Sequence, residues 1–91
     1  YLRVQGDSMN KKFPEGSLLL IQKQNVLEAS EIGVFRINGD DATVKQFKTE
    51  ENGIITLSPM SYNPIHKEQK YNLKDVPVEI IGKVISFMGI L

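Results

Sequence analysis

Cysteine is absent from the 91-residue chain, and histidine occurs once, at position 66. There is therefore no disulfide framework, no cysteine-based zinc site and no thiol nucleophile, and a metal site of any kind has few ligands to draw on. No cofactor and no metal are expected. Charge of one sign is also missing, since eleven basic residues stand against eleven acidic ones. Nucleic-acid binding would show as a basic excess or stripe, so any DNA contact made by a parent protein falls to another part of it. Zero net charge instead weakens the repulsion between identical molecules, which suits a homodimer. Long apolar runs are lacking too. The longest tract, Val84 to Leu91, is interrupted by Ser86 and Gly89 and is far too short to span a bilayer, so no membrane partner is expected. Neither a signal peptide, an internal repeat nor a low-complexity tract is visible. The missing cysteines fit a cytoplasmic protein.

What is present has the balance of a soluble globular protein, 41% apolar and 24% charged. The length is near that at which a single core holds a fold without disulfides or metal, so residues 1–91 read as one domain. The chain opens at Tyr1 without an initiator methionine and enters an apparent strand at once. It reads as a fragment of a longer protein, with any head, hinge or anchor upstream.

Strand signals dominate. Tyr1 to Gln5 alternates, and Gly6-Asp7 ends it. Met9 to Phe13 makes room for one short helical turn, stopped by Pro14-Glu15-Gly16. Leu18 to Ile21 is apolar without alternation, the pattern of a strand buried on both faces and placed at the centre of the sheet. Gln22 to Glu31 is a polar connection. Asn38-Gly39 and Asn52-Gly53 each separate two apolar segments and supply the positive φ that tight hairpins need, so the middle of the chain reads as an antiparallel meander. Ser58 to Lys70, with two prolines, reads as a mobile surface loop, and His66 within it as a solvated surface histidine. Val76 to Met88 is one bent strand or two short ones, with Gly82 inside. The fold class is mostly β, a small bent antiparallel sheet or partial barrel with one short helical turn after Ser8.

Two residues in this layout carry chemistry. Ser8 sits just past a strand end, flanked by Asp7 and Met9, and Lys45 lies within the second arm of the first hairpin. A serine on a tight turn and a lysine on a strand are the parts of a Ser–Lys dyad, in which a neutral amine takes the proton of the attacking hydroxyl. Each also has a bland reading. Ser8 serves as a cap for the turn over Met9 to Lys12, and the backbone N–H groups that make it a cap also suit an oxyanion. Lys45 is a solvated strand lysine unless it lies beside Phe47 in a dry setting, where desolvation favours the neutral amine.

Order and context narrow the choice. Val4-Gln5-Gly6-Asp7-Ser8-Met9, then Phe13-Pro14-Glu15-Gly16-Ser17-Leu18-Leu19-Leu20-Ile21, then Gly33 to Gly39 and Ala42-Thr43-Val44-Lys45 together resemble the LexA and phage-repressor family. Leu57-Ser58-Pro59, Tyr62-Asn63-Pro64-Ile65 and Val78 to Val84 continue the likeness, which covers the self-cleaving C-terminal domain of those regulators. The resemblance implies Ser8 as nucleophile and Lys45 as general base, with Asp7 and Met9 supporting the turn and the oxyanion. It also implies a homodimer formed through the closing strand, and DNA contact only through an N-terminal domain upstream. A RecA filament or an antirepressor protein are the triggers it suggests, within an SOS-type response. Gly16 is followed by Ser17 where the family often has an acidic residue. No Ala-Gly pair of the family's usual scissile type occurs in the chain. Two other readings share the likeness: a dimerisation domain that no longer cuts, and a UmuD-like polymerase accessory subunit. Signal peptidases also use a Ser–Lys pair on a related fold, with a wider separation and at a membrane.

Overall fold

A computed structural model describes residues 1–89. Seven strands run in the order β1 (Leu2–Arg3), β2 (Leu18–Lys23), β3 (Ile32–Ile37), β4 (Ala42–Glu51), β5 (Ile54–Ser58), β6 (Gln69–Asn72) and β7 (Val78–Met88). All seven join one curled antiparallel sheet, a half-barrel with spatial order β1-β2-β7-β3-β4-β5-β6. No helix is present among the described residues, and the segment after Ser8 is a series of hydrogen-bonded turns.

The meander forms where local chemistry dictates. Asn38 and Gly39 sit at φ 54° and 76°, and Asn52 and Gly53 at φ 54° and 78°, so both hairpins close through residue pairs that tolerate the left-handed region. β7 is one strand, bent as its register slips against each neighbour, between Leu20 and Ile21 on β2 and between Val34 and Phe35 on β3. Such one-residue slips increase local twist and curl a sheet. Gly82 lies at this crossing, where an added Cβ would meet the Gln22 carbonyl oxygen at 2.5 Å. The strands approach there because no side chain stands between them.

Val34 and Phe35 are neighbours on β3 and point to opposite faces, each into its own core. Val34 joins Val4, Met9, Phe13, Leu19 and Val44. Phe35 joins Leu27, Phe47, Ile55 and Leu57. Half-burial is the rule elsewhere, and it corrects the expectation for Leu18 to Ile21. That run is the second strand from one edge, not the centre: Leu19 is fully buried whereas Leu20 is exposed, because only one face of β2 meets the core. The central strand is β3, which the sequence marks only by its flanking hairpin.

Candidate active site

The turn that presents Ser8 is anchored by its apolar neighbours. Gly6 at φ 77° turns the chain out of β1, and the Phe13 amide donates to the Met9 carbonyl at 2.9 Å. Met9 and Phe13 are buried in the first core. With Met9 pinned inward, its neighbour Ser8 is left at the rim of the cleft. The amides of Asn10, Lys11, Lys12 and Phe13 all donate to backbone carbonyls of the turn or of Met60.

Lys45 approaches from β4. Its register partner on β3 is Gly33. Lys45 Nζ donates to Ser8 Oγ at 2.9 Å, bringing together two residues 37 positions apart. The amine is half-buried, and desolvation holds its pKa below the ordinary lysine value. Of the two bland readings, the solvated strand lysine does not describe this environment. The hydroxyl of Ser8 faces the lysine, and its carbonyl accepts from the Met60 amide at 2.8 Å.

Asp7, the residue before the serine, is held at both oxygens. His66 Nε2 lies 2.5 Å from Oδ1, and Asn63 Nδ2 donates to Oδ2 at 3.1 Å. The bond from His66 and then that from Asn63 hold the Asp7 carboxyl below the usual carboxylate range. Its protonation on falling pH is therefore postponed relative to the unfolded chain. The stabilisation is present above the unfolded carboxylate value and is lost as pH falls through the lower folded one. This contact corrects the sequence reading of two features. Residues 59–66 are stitched to the turn at Ser8, and His66 faces Asp7 across 59 positions of chain. No spacing rule links such distant partners; the only available signal was that a lone histidine and an aspartate beside a candidate nucleophile are worth pairing.

Two cavities flank the pair. One, of about 240 Å³, is lined by Leu2, Val4, Ser8 and Thr43 among others. The second, of about 450 Å³, opens on the other side along Lys45, Pro59, Ile65 and Tyr71. Asp41 and Thr43 border both. Among the described residues there is no group of three or more His, Cys, Asp or Glu side chains arranged to hold a metal ion. Nor is any helix among them long and apolar enough to cross a membrane.

The fold and the contact together define an all-β domain with a serine hydroxyl and a desolvated lysine amine paired beside two open cavities. The chain belongs to the Peptidase S24-like family, whose model matches residues 1–85. It is similar to the LexA repressor of Carboxydothermus hydrogenoformans, 34% identical over 96% of this chain and 41% of that repressor. It is also similar to the LexA repressor of Clostridioides difficile, 37% identical over 99% of this chain and 41% of that repressor. A shorter match, 46% identical over 58% of this chain, is to the LexA repressor of Lacticaseibacillus casei. The chain thus spans 41% of the length of the first two relatives.

Proposed function

We propose that this chain is the C-terminal domain of a bacterial or prophage transcriptional repressor that cuts its own hinge, with Ser8 as nucleophile and Lys45 as general base. The single observation that carries the reading is the 2.9 Å contact between Lys45 Nζ and Ser8 Oγ. Desolvation of the amine supports it, because a base must be unprotonated to act. Membership of a peptidase family and likeness to proteins named as repressors support the biological setting.

The neutral Lys45 amine takes the proton of Ser8 Oγ as that oxygen bonds to the scissile carbonyl carbon. The carbonyl π electrons move to oxygen, and the Ser8 and Met9 amides, not engaged elsewhere among the described residues, are the donors beside it. Collapse breaks the C–N bond, and the Lys45 ammonium returns its proton to the leaving amine. Water then attacks the acyl-serine as Lys45 takes its proton; the bond from Ser8 Oγ to the acyl carbon breaks, Lys45 returns the proton to Oγ, and the acid leaves. The site needs no cofactor for these steps.

Cutting separates a DNA-binding head from the dimer and relieves repression, with a RecA filament or an antirepressor as the class of trigger. Homodimerisation is supported by apolar side chains left exposed on β7 and its neighbour, including Ile85, Phe87, Met88 and Leu20. The setting is the cytoplasm. The test follows self-cleavage of the intact parent protein on a gel from neutral to alkaline pH, beside Ser8→Ala and Lys45→Ala variants. Cutting that accelerates with pH and falls by about 10⁴-fold or more in either variant is expected. Undiminished cutting in Ser8→Ala overturns the assignment, and a chain intact at every pH, with activated recombinase present, leaves a non-cleaving dimerisation domain.

A further inference from the structure

Between residues 59 and 66 the chain crosses back over the nucleophile turn and is joined to it repeatedly. The Met60 amide donates to the Ser8 carbonyl and the Lys11 amide to the Met60 carbonyl, both at 2.8 Å. The Tyr62 amide donates to Asn10 Oδ1 at 2.9 Å. Asn63 and His66 then take the two oxygens of Asp7. The segment is shaped to present these two donors. Asn63 Oδ1 accepts from the Ile65 amide at 3.1 Å and the Asn63 amide donates to Ser61 Oγ at 3.0 Å, a local turn that orients the side-chain amide before it meets Asp7.

We infer that Asn63 and His66 are positioning residues for Ser8: by holding both oxygens of Asp7 they fix the nucleophile turn, and the rate of cutting follows the protonation state of the lone histidine. The inference rests on the dyad reading above for its effect on rate. A misplacement of about 1 Å costs a catalytic group on the order of a hundredfold, so a clamp one residue from the nucleophile acts on the chemistry without touching substrate. A protonated imidazole gives Asp7 a charge-assisted bond, and a neutral one gives it an ordinary donor. Apart from Asp7, the charged and titratable groups lining the cavity beside His66 are Asp40, Asp41, Lys45, Lys67 and Tyr71. Raising pH therefore does two opposed things: it frees the Lys45 amine and it loosens the clamp.

The experiment measures the first-order self-cleavage rate of the intact parent protein against pH for wild type, His66→Ala and His66→Gln. The glutamine amide still donates to Asp7 and does not titrate. Wild type is expected to rise less steeply with pH than His66→Gln over part of the range from acid to neutral pH. His66→Gln rises more steeply than wild type while staying within roughly threefold of it near neutrality, and His66→Ala is about tenfold slower. Three parallel profiles at similar rates overturn the inference. The Ser8 backbone amide, followed by NMR in the same proteins, decides the matter apart from cutting. Its resonance should titrate with the ring in wild type and lie flat in His66→Gln. A flat wild-type resonance overturns the positioning role even in a chain that cuts. An inert chain whose Ser8 resonance does titrate keeps the clamp and sinks the dyad reading alone.

Discussion

Both Asn-Gly turns of the β3–β4–β5 meander take their shape from residue type, even though the Asn38 amide also donates to Pro77 and the Gly53 carbonyl accepts from Leu73, whereas the polar side chains of the turn from Gly6 to Lys12 are held by partners far along the chain. Asn38-Gly39 and Asn52-Gly53 need only four residues of the right type to take positive φ. Asn10 and Asp7 need Tyr62 and His66, 52 and 59 positions away, and those contacts exist only once β5 has returned the chain to the same end of the sheet. The meander is a scaffold that folds from local signals and delivers Lys45. The Ser8 turn depends on contacts of long sequence separation, whose loop-closure entropy the rest of the fold has to offset. On the proposed dyad, the base would sit on the local scaffold and the nucleophile on the turn held by distant partners.

The strongest way to break this contrast is to remove the core on which the meander rests. Phe35 is fully buried against Leu27, Phe47, Ile55 and Leu57. Phe35→Ala is expected to cost about 3–5 kcal/mol, a large share of the stability of a domain this size. Urea unfolding measures it, with hydrogen exchange of the Ser8 turn followed alongside. The turn should lose protection together with the strands, since its partners depend on them. A turn that stays protected while the meander opens would reverse the order of dependence.

A milder pair of substitutions sharpens the comparison. Gly53→Ala places a Cβ in open space but at φ 78°, so its cost is local backbone strain of about 1 kcal/mol. Gly82→Ala has no such strain, yet its Cβ would lie 2.5 Å from the Gln22 carbonyl oxygen and 2.6 Å from Ile21. Because backbone cannot swing aside as a side chain does, the expected cost is about 2–3 kcal/mol as β2 and β7 are forced apart. Thermal melts of the two variants should rank Gly82→Ala below Gly53→Ala. Equal costs would mean that the close approach at the β-bulge yields as readily as the hairpin turn.

The same contrast explains what was legible in the sequence. Mostly-β architecture and both hairpins follow from residue type and period, whereas Val76 to Met88 could be narrowed only to one bent strand or two short ones. Serine and lysine could be singled out because their order, with Gly6 before one and a hairpin before the other, resembles a family now shown by its match to residues 1–85. Leu18 to Ile21 misled because an unbroken apolar run has the same appearance whether one face or two are covered; Leu20 belongs to the open face. His66 was unreadable for a different reason. Polar residues and prolines describe a loop equally well whether it waves in water or is stitched to a distant turn, and the stitches here are side chains of single residues with no periodicity. A half-barrel brings loop ends together at its rim, and only the topology says which ones.

The smallest expected effect concerns Lys45 as a charge, and it tests whether the local scaffold carries a cost for holding the base. Desolvation lowers its pKa in the folded state, so the unfolded chain binds the proton more tightly. The sign follows: folding is penalised below the folded pKa, and the penalty is relieved as pH rises from that value to the unfolded one, near 10.4. Lys45→Met, which keeps the stem and removes the charge, should therefore melt higher than wild type at neutral pH. Solvent screens part of a half-buried charge, and the hydrogen bond to Ser8 is lost as well, so the rise is small, roughly 2 °C. The difference should shrink as pH is raised through this window, leaving only the lost hydrogen bond and the altered packing. A variant less stable than wild type at neutral pH would show that the lysine is held comfortably as an ammonium ion. The amine would then need substrate, closing over it, to become a base.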